Sequence, residues 1–213
     1  MRFPAIPSVS TDNEIIAQSI DEPGAFSGIF ERHVRQVGGY IRRRVGADAV
    51  DDVLSETFLV AFRRRTSFEG EWESALPWLL GIATRLVKSH RAAEARQWRA
   101  FESSAAANAV IDELPHTASE GRLDADAALR ALAPRIAALN RKDRDTLLLY
   151  AWGDLTYEQV AAALDVPVGT VRSRLNRVRR KLAPPGSHGA IRLTPIVTMM
   201  AKEESDVSYG TSA

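Results

Sequence analysis

Apolar residues recur every three or four positions over most of this chain, the spacing that places them on one face of an α-helix. No stretch shows the strict alternation of apolar and polar residues that is typical of a half-buried β-strand. The first apolar stripe consists of Phe26, Ile29, Phe30, Val34, Val37, Ile41 and Val45. We therefore predict an all-α fold.

Two further stripes follow in the first half of the chain. One spans residues 50–62 and is preceded by Asp48, a residue type that favours the N-cap of a helix. The other spans residues 76–87, with Ser74 as its expected cap and Pro77 in its first turn. The three predicted helices would close a small bundle.

The second half of the chain carries shorter helical patterns. They occupy residues 127–139, 141–152, 156–164 and 168–183. Thr156 is the expected cap of the third pattern, and only Asp165, Val166 and Pro167 separate the third from the fourth. This arrangement predicts two helices joined by a tight turn.

These patterns divide the chain into two small helical domains joined by a flexible linker. We predict an N-terminal arm over 1–23, a first domain over 24–99, a linker over 100–124, a second domain over 125–184 and a C-terminal tail over 185–213. Between Ala100 and Asp126 there are six acidic residues and one basic residue, among many small ones. That composition is typical of a solvated acidic spacer.

Composition excludes several classes of function. The 213 residues include no cysteine, which excludes disulfides, thiolate zinc sites and a thiol redox sensor. The four histidines lack metal-ligand spacing: His33, His90, His116 and His188. The chain shows no glycine loop that would cradle a phosphate and no nucleophile elbow. We expect neither a cofactor nor an enzymatic activity of its own.

The ends of the chain give no sign of export. Residues 1–10 lack the apolar run of a secretory signal, and the apolar stretch 193–201 is too short to span a bilayer. We therefore expect a cytoplasmic protein without membrane insertion.

Charge is segregated along the chain, although the formal net charge is only +1. Residues 125–184 contain eleven basic and six acidic residues. The last helical pattern directs Val171, Leu175, Val178 and Leu182 to one face, and its basic residues lie elsewhere: Arg172, Arg174, Arg177, Arg179, Arg180 and Lys181. Such a helix fits the major groove of DNA, because arginine pairs with guanine and neutralises phosphate. The alternative is a merely solvated basic face.

Two sets of motifs resemble one protein family. Residues 155–161 read LTYEQVA and residues 166–175 read VPVGTVRSRL, which is similar to the promoter-reading domain of bacterial extracytoplasmic-function sigma factors, a branch of the sigma-70 family of RNA polymerase sigma factors. In the first domain, residues 51–58 read DDVLSETF and residues 77–83 read PWLLGIA, in that family's order and spacing. The resemblance implies a region 2 helical bundle, a region 4 helix-turn-helix, and promoter-specific initiation of transcription with core RNA polymerase.

The resemblance implies roles for two surfaces of the first domain. The surface that would bind the clamp helices of core polymerase contains Asp51, Asp52, Ser55 and Glu56. The surface that would melt and capture the minus-ten element contains Phe68, Glu69, Trp72, Arg85, Lys88 and Arg91. Alternatively, the acids only favour a helix N-terminus and the tryptophans Trp72 and Trp78 only pack in the core. Glu69, Arg85 and Ser89 depart from the family's usual residues, so the minus-ten preference stays open.

In the second domain, the resemblance assigns the minus-thirty-five element to the last helix. The residues that would read or hold this element are Tyr157, Glu158, Thr170, Arg172, Ser173, Arg174, Arg177 and Arg179. Asp165 stands where the family often has glycine, which is tolerable because Asp adopts the left-handed conformation more readily than most residues.

The implied partners are core RNA polymerase, through its clamp and flap elements, promoter DNA in double-stranded and melted form, and an anti-sigma factor. Two other hypotheses compete with this one. A helix-turn-helix regulator that binds DNA as a dimer would leave the acidic helix and aromatic loop of the first domain without a purpose. An enzyme would need a bound metal or nucleotide.

Overall fold

The computed structural model of the protein describes residues 10–70, 73–104 and 134–183, with side chains to residue 97 in the second range. All regular elements in these ranges are helical. The α-helices are α1 (Asp12–Asp21), α2 (Ser27–Arg42), α3 (Val50–Arg63), α4 (Leu76–Ser104), α5 (Arg141–Trp152), α6 (Tyr157–Leu164) and α7 (Val168–Leu182), and short 3-10 turns occupy Pro23–Phe26, Ala47–Ala49 and Arg65–Ser67. The predicted tail, Trp72, His116, His188 and the predicted linker beyond Ser104 lie outside the described residues.

The first domain contains the three predicted helices as α2, α3 and α4, which pack against one another. It also contains α1, which lies within the segment predicted as an N-terminal arm. Thr11 and Glu14 cap α1 reciprocally, the side chain of each bonding the backbone N–H of the other, and Ile15 and Ile16 are buried in the core. Sequence analysis missed α1 because a ten-residue helix carries too few apolar positions for a clear stripe.

Asp12 ties α1 to the rest of the first domain. Its carboxylate lies 2.9 Å from Nη1 of Arg32 and 2.6 Å from Nε2 of His33, and it accepts the backbone N–H of Ala75 at 2.8 Å. Burial raises the pKa of Asp12, but the bonds from Ala75, Arg32 and His33 outweigh this and lower its pKa below the usual 3.8. One buried carboxylate therefore joins α1, α2 and the residue that precedes α4.

Two details at helix ends differ from the predictions. Asp48 is not the N-cap of α3: a 3-10 turn places Ala49 at that position, and Ala49 makes no side-chain capping bond. Helix α4 continues to Ser104, beyond the predicted end of the domain at residue 99. The expected start of α4 is supported, since Oγ of Ser74 accepts the backbone N–H of Leu76 at 3.2 Å.

The second domain consists of α5, α6 and α7, preceded by a helical turn at 134–137. Thr156 caps α6 and Gln159 completes the reciprocal bond, as predicted. Asp165 ends α6 with φ of 54°, which confirms the expected left-handed conformation at the tight turn. The part of the predicted helix 127–139 that precedes residue 134 lies outside the described residues.

The two domains lie directly against each other, and their apolar cores join. Helix α4 packs along α6. A Cβ atom added to Gly81 of α4 would lie 2.6 Å from the carbonyl oxygen of Ala163 in α6, so only glycine permits this approach. The sequence predicted two domains but gave no indication of how they would be placed.

Candidate nucleic-acid interface

Helix α7 has one buried side and one exposed side. Val171, Leu175, Val178 and Leu182 are fully buried, as the sequence predicted. The opposite side exposes Arg172, Ser173, Asn176, Arg177 and Arg180. Since α7 contains no acidic residue, this side offers hydrogen-bond donors and positive charge without a competing carboxylate of its own. It is the surface that a major groove would accept.

Asp143, in the first turn of α5, forms an ion pair with Arg177. Nη1 of Arg177 lies 2.7 Å from Oδ1 of Asp143, and Nζ of Lys181 lies 3.9 Å from Oδ2. The Asp143 side chain is fully buried, whereas those of Arg177 and Lys181 are 44% and 46% exposed. Oδ2 of Asp143 also accepts a bond from Nδ2 of Asn140 at 2.7 Å, and the backbone N–H of Asp143 donates to the capping oxygen Oδ1 of Asn140 at 2.8 Å. The carboxylate thus fixes one nitrogen of Arg177 and leaves the rest of its guanidinium toward solvent.

Arg179 is held on the other flank of α7. It donates to the hydroxyl of Tyr157 at 2.7 Å and to Oδ1 of Asn176 at 2.7 Å. The ring of Tyr157 in turn packs edge-to-face on Tyr150, with centroids 5.4 Å apart. Tyr157 therefore connects the first helix of the helix-turn-helix to the second, in keeping with the supporting role expected for both residues.

The remaining predicted residues of the second domain take different positions. Arg174 is half-buried, with Nη1 3.4 Å from the hydroxyl of Thr146 in α5. Ser173 donates to the carbonyl of Thr170 at 2.9 Å, and Glu158 is exposed in the first turn of α6. Arg172 and Ser173 are thus the first residues of α7 with exposed polar side chains, near the N-terminus, where a recognition helix contacts base edges.

The predicted minus-ten surface lies partly on one side of α4. Arg85 and Lys88 are exposed and Arg91 is half-buried, at three-residue steps that place them along one side of the helix. In the preceding loop Glu69 is exposed, while the ring of Phe68 packs on Trp78 with centroids 5.0 Å apart. Trp78 packs against the core, which supports the structural alternative for this residue.

The predicted polymerase-binding residues share the exposed side of α3. Asp51, Asp52, Ser55 and Glu56 all face solvent, and Leu59 continues this side with 41% exposure. The buried side of α3 is formed by Val50, Val53, Thr57, Phe58 and Ala61. An exposed acidic side followed by an apolar residue suits a basic partner with an apolar centre.

Sequence analysis missed two residues of this candidate interface. Asp143 follows Asn140 by three residues at the start of α5, a spacing that signals a capped helix but not a bond to Arg177 34 residues away. Asn176 lies one turn beyond Arg172, and its exposure could have been inferred from the apolar positions on either side.

Within the described ranges, no group of three or more His, Asp or Glu side chains is placed to hold a metal ion. No helix of those ranges is both long and apolar enough to cross a bilayer.

Comparison with known proteins points to one family. Residues 29–97 match the family model of Sigma-70 region 2, and residues 129–182 match that of Sigma-70, region 4. The chain is 30% identical over 162 residues to the ECF RNA polymerase sigma-E factor of Salmonella typhimurium strain 14028s, covering 74% of this chain and 84% of that protein. The same figures apply to the sigma-E factor of Escherichia coli strain K12. A structure of CnrH in complex with the cytosolic domain of CnrY shares the fold, with a TM-score of 0.56, 22% identity, and coverage of 81% of this chain and 95% of that one.

Proposed function

The chain belongs to the extracytoplasmic-function branch of the sigma-70 family, and we propose that the exposed side of α7 reads the minus-thirty-five element of its promoters. As a member of that family it directs promoter-specific initiation of transcription with core RNA polymerase. Sigma factors are non-catalytic initiation factors, so we assign nucleotidyl transfer to the polymerase. Because initiation takes place on chromosomal DNA, we propose that the chain acts in the cytoplasm.

One observation supports the assignment to α7 above the others. The helix-turn-helix of α6 and α7 exposes Arg172, Ser173, Asn176 and Arg177 on one side and buries four apolar residues on the other. Arg172 and Arg177 supply donors for guanine, and Ser173 and Asn176 supply short polar groups for neighbouring bases. Tyr157 and Arg179, bonded to each other, lie at the flank where phosphate contacts would fix the register.

Transcription with purified components tests this function. The chain is mixed with core RNA polymerase and fragmented genomic DNA of its own organism, and the initiated transcripts are sequenced. We expect discrete start sites that share two spaced upstream elements. Duplex binding without initiation or a stable complex with polymerase would instead favour a regulator that acts on DNA alone.

We assign polymerase binding to the exposed side of α3. A basic coiled coil would be steered by Asp51, Asp52 and Glu56, which are all exposed. Glu56→Arg should weaken binding to core polymerase about tenfold while the helical circular dichroism stays unchanged, because an exposed ion pair of about 0.2–1 kcal/mol would be replaced by a repulsion of similar size. Asp21→Arg, at an exposed position in the last turn of α1, is the matched charge-reversal control. Equal binding by both variants would remove Glu56 from the interface.

We assign capture of the melted minus-ten element to α4 and the loop before it. Arg85, Lys88 and Arg91 form a cationic track for the backbone, and Phe68 with Trp72 would supply apolar surfaces for unstacked bases. Lys88→Ala should slow promoter opening without changing duplex binding at the upstream element, because α7 lies in the other domain. Permanganate footprinting measures promoter opening, and it is compared with binding of the chain to the duplex upstream element.

An anti-sigma protein is the regulator that we propose for this chain, as its membership of the family implies. The surfaces available to such a protein are the acidic side of α3 and the basic side of α7. A candidate anti-sigma protein is mixed with the chain and core polymerase, and the mixture is separated by gel filtration. A candidate that displaces the polymerase from the chain would be the regulator.

A further inference from the structure

A buried ion pair crosses the boundary between the two domains. Arg44, just after α2, bonds the carboxylate of Asp145 in α5, a residue 101 positions away in the sequence. The two side chains are only 6% and 12% exposed. Because charges are costly to bury without a partner, a pair of this kind belongs to a defined docked arrangement.

Residues of the first domain hold the Arg44 side chain in place for this contact. Arg44 also bonds the hydroxyl of Tyr40, and the same hydroxyl lies 2.7 Å from Oγ1 of Thr84 in α4. These partners are neutral, so Asp145 is the only carboxylate bonded to Arg44 among the described residues. Within the described part of the chain, the second domain is therefore the source of the charge that neutralises this guanidinium.

Backbone packing beside the ion pair is equally specific. Gly81 of α4 meets the backbone of Ala163, and a Cβ atom at Gly81 would lie 2.6 Å from the Ala163 carbonyl oxygen. Gly153, just after α5, receives Leu80 of α4, whose Cδ1 would lie 2.8 Å from a Cβ at that position. Gly81 thus permits a backbone contact between the domains that a larger residue would prevent, and Gly153 contributes a close contact with the Leu80 side chain.

The docked arrangement conflicts with simultaneous use of both DNA surfaces. Elements centred at positions minus ten and minus thirty-five lie about two and a half helical turns apart, roughly 85 Å of duplex. A helical domain of this size has a radius of gyration of only about 13 Å, so two domains in direct contact span much less than that separation. The domains must come apart before both elements are bound.

We propose that Arg44, Gly81 and Asp145 form an interdomain latch that holds the free chain closed, with its own second domain as the partner of the surface formed by α2 and α4. Opening of the latch precedes or accompanies binding of core polymerase and the promoter. This regulatory consequence rests on the proposed function, whereas the docking itself does not.

Distances between two spin labels test the latch in the full chain. The chain has no cysteine, so Glu31→Cys on α2 and Arg141→Cys on α5 give one label in each domain at exposed positions. The label distances are measured by double electron-electron resonance, with and without core polymerase. Three backgrounds are compared with the unsubstituted latch: Asp145→Asn, Gly81→Ala, and Gly46→Ala as a matched control whose added Cβ meets nothing within 4 Å.

We expect one narrow, short distance in the unsubstituted background and in Gly46→Ala. Asp145→Asn and Gly81→Ala should each add a population at longer distance, as should core polymerase. Neither substitution removes a core contact within a domain, and unchanged helical circular dichroism verifies this. Since the binding-competent fraction scales the apparent affinity, a substitution that raises the open fraction about tenfold should tighten polymerase binding about tenfold.

A broad distribution that is identical in all four backgrounds would overturn the latch. Opened distances in Asp145→Asn and Gly81→Ala with unchanged polymerase affinity would overturn its regulatory role. Absence of polymerase binding in every background, with the distances as expected, would contradict the proposed function and support the docking.

Discussion

Two aspartates near the start of α5 pair with arginines in contrasting ways. Asp143 pairs with Arg177 of α7, within the second domain, and Asp145 pairs with Arg44 of the first domain. Arg177 keeps 44% of its side chain exposed, whereas Arg44 keeps 6%. Two residues of one helix thus serve different neighbours, one beneath the candidate DNA surface and the other between the domains.

The exposure of the arginine determines what each pair can do. Guanidinium carries five donors, and Asp143 occupies one nitrogen of Arg177, so the others remain available to a base or a phosphate. Arg44 is enclosed by Tyr40, Thr84 and Asp145, and within the described ranges its two terminal nitrogens bond only to these residues of the docked domains. A buried carboxylate can therefore orient a residue for DNA or hold two domains together, depending on which arginine reaches it.

The largest effect on stability should come from Arg177→Ala. It leaves the fully buried Asp143 with Asn140 and the more distant Lys181, so the free energy of unfolding should fall by about 2 kcal/mol. Urea unfolding followed by circular dichroism measures this. Arg180→Ala, at an exposed position of the same helix, should stay within about 0.5 kcal/mol of the parent chain. Equal stability of the two variants would mean that the Asp143 pair is of no structural consequence.

Arg172→Ala should weaken DNA binding without the loss of unfolding free energy expected for Arg177→Ala. Arg172 is exposed near the start of α7, and we expect a loss of about 1 to 3 kcal/mol at one base pair of the upstream element. Binding to a set of duplexes with single substitutions measures the loss position by position. A uniform loss on every duplex would instead make Arg172 a phosphate contact.

Asp143→Asn should show whether the Asp143 carboxylate orients Arg177 toward one base pair. The amide keeps the size of the side chain but releases Arg177, which can then contact phosphate. Preference at one base pair should relax by about 1 kcal/mol, while the slope of log affinity against log salt should steepen by about 0.9, the value for one added phosphate contact. Salt titrations on specific and unrelated duplexes measure both. An unchanged slope with unchanged preference would show that Asp143 does not position Arg177.

The smallest effect concerns Asp12, a buried carboxylate that serves one domain only. Its folded pKa lies below the usual 3.8, so its contribution to stability is complete above pH 3.8 and is lost as the pH falls through the folded value. The stability gap between the parent chain and Asp12→Asn should therefore be constant near neutral pH and narrow below about pH 3.8. A stability gap that widens on acidification would mean that folding raises the pKa of Asp12 and does not lower it.

Much of the fold follows from local sequence signals. The apolar stripes located α2, α3 and α4, and the inward positions of α7 were correct at all four residues. Thr156 and Asp165 were predicted correctly, because a capping side chain and a left-handed residue act within one turn of the chain. The same locality explains two misses: α1 is too short for a stripe, and the 3-10 turn before α3 displaced the expected cap from Asp48.

The sequence by itself determined the all-α class, the two domains, the helix-turn-helix and its basic exposed side. These properties depend on the spacing of residues along one or two helices. Only the tertiary structure decided that Asp143 lies under Arg177, that Asp145 meets Arg44, and that Gly81 lies against Ala163. Such contacts join residues 34 to 101 positions apart, and their partners are selected by the packing of whole helices, which no local spacing records.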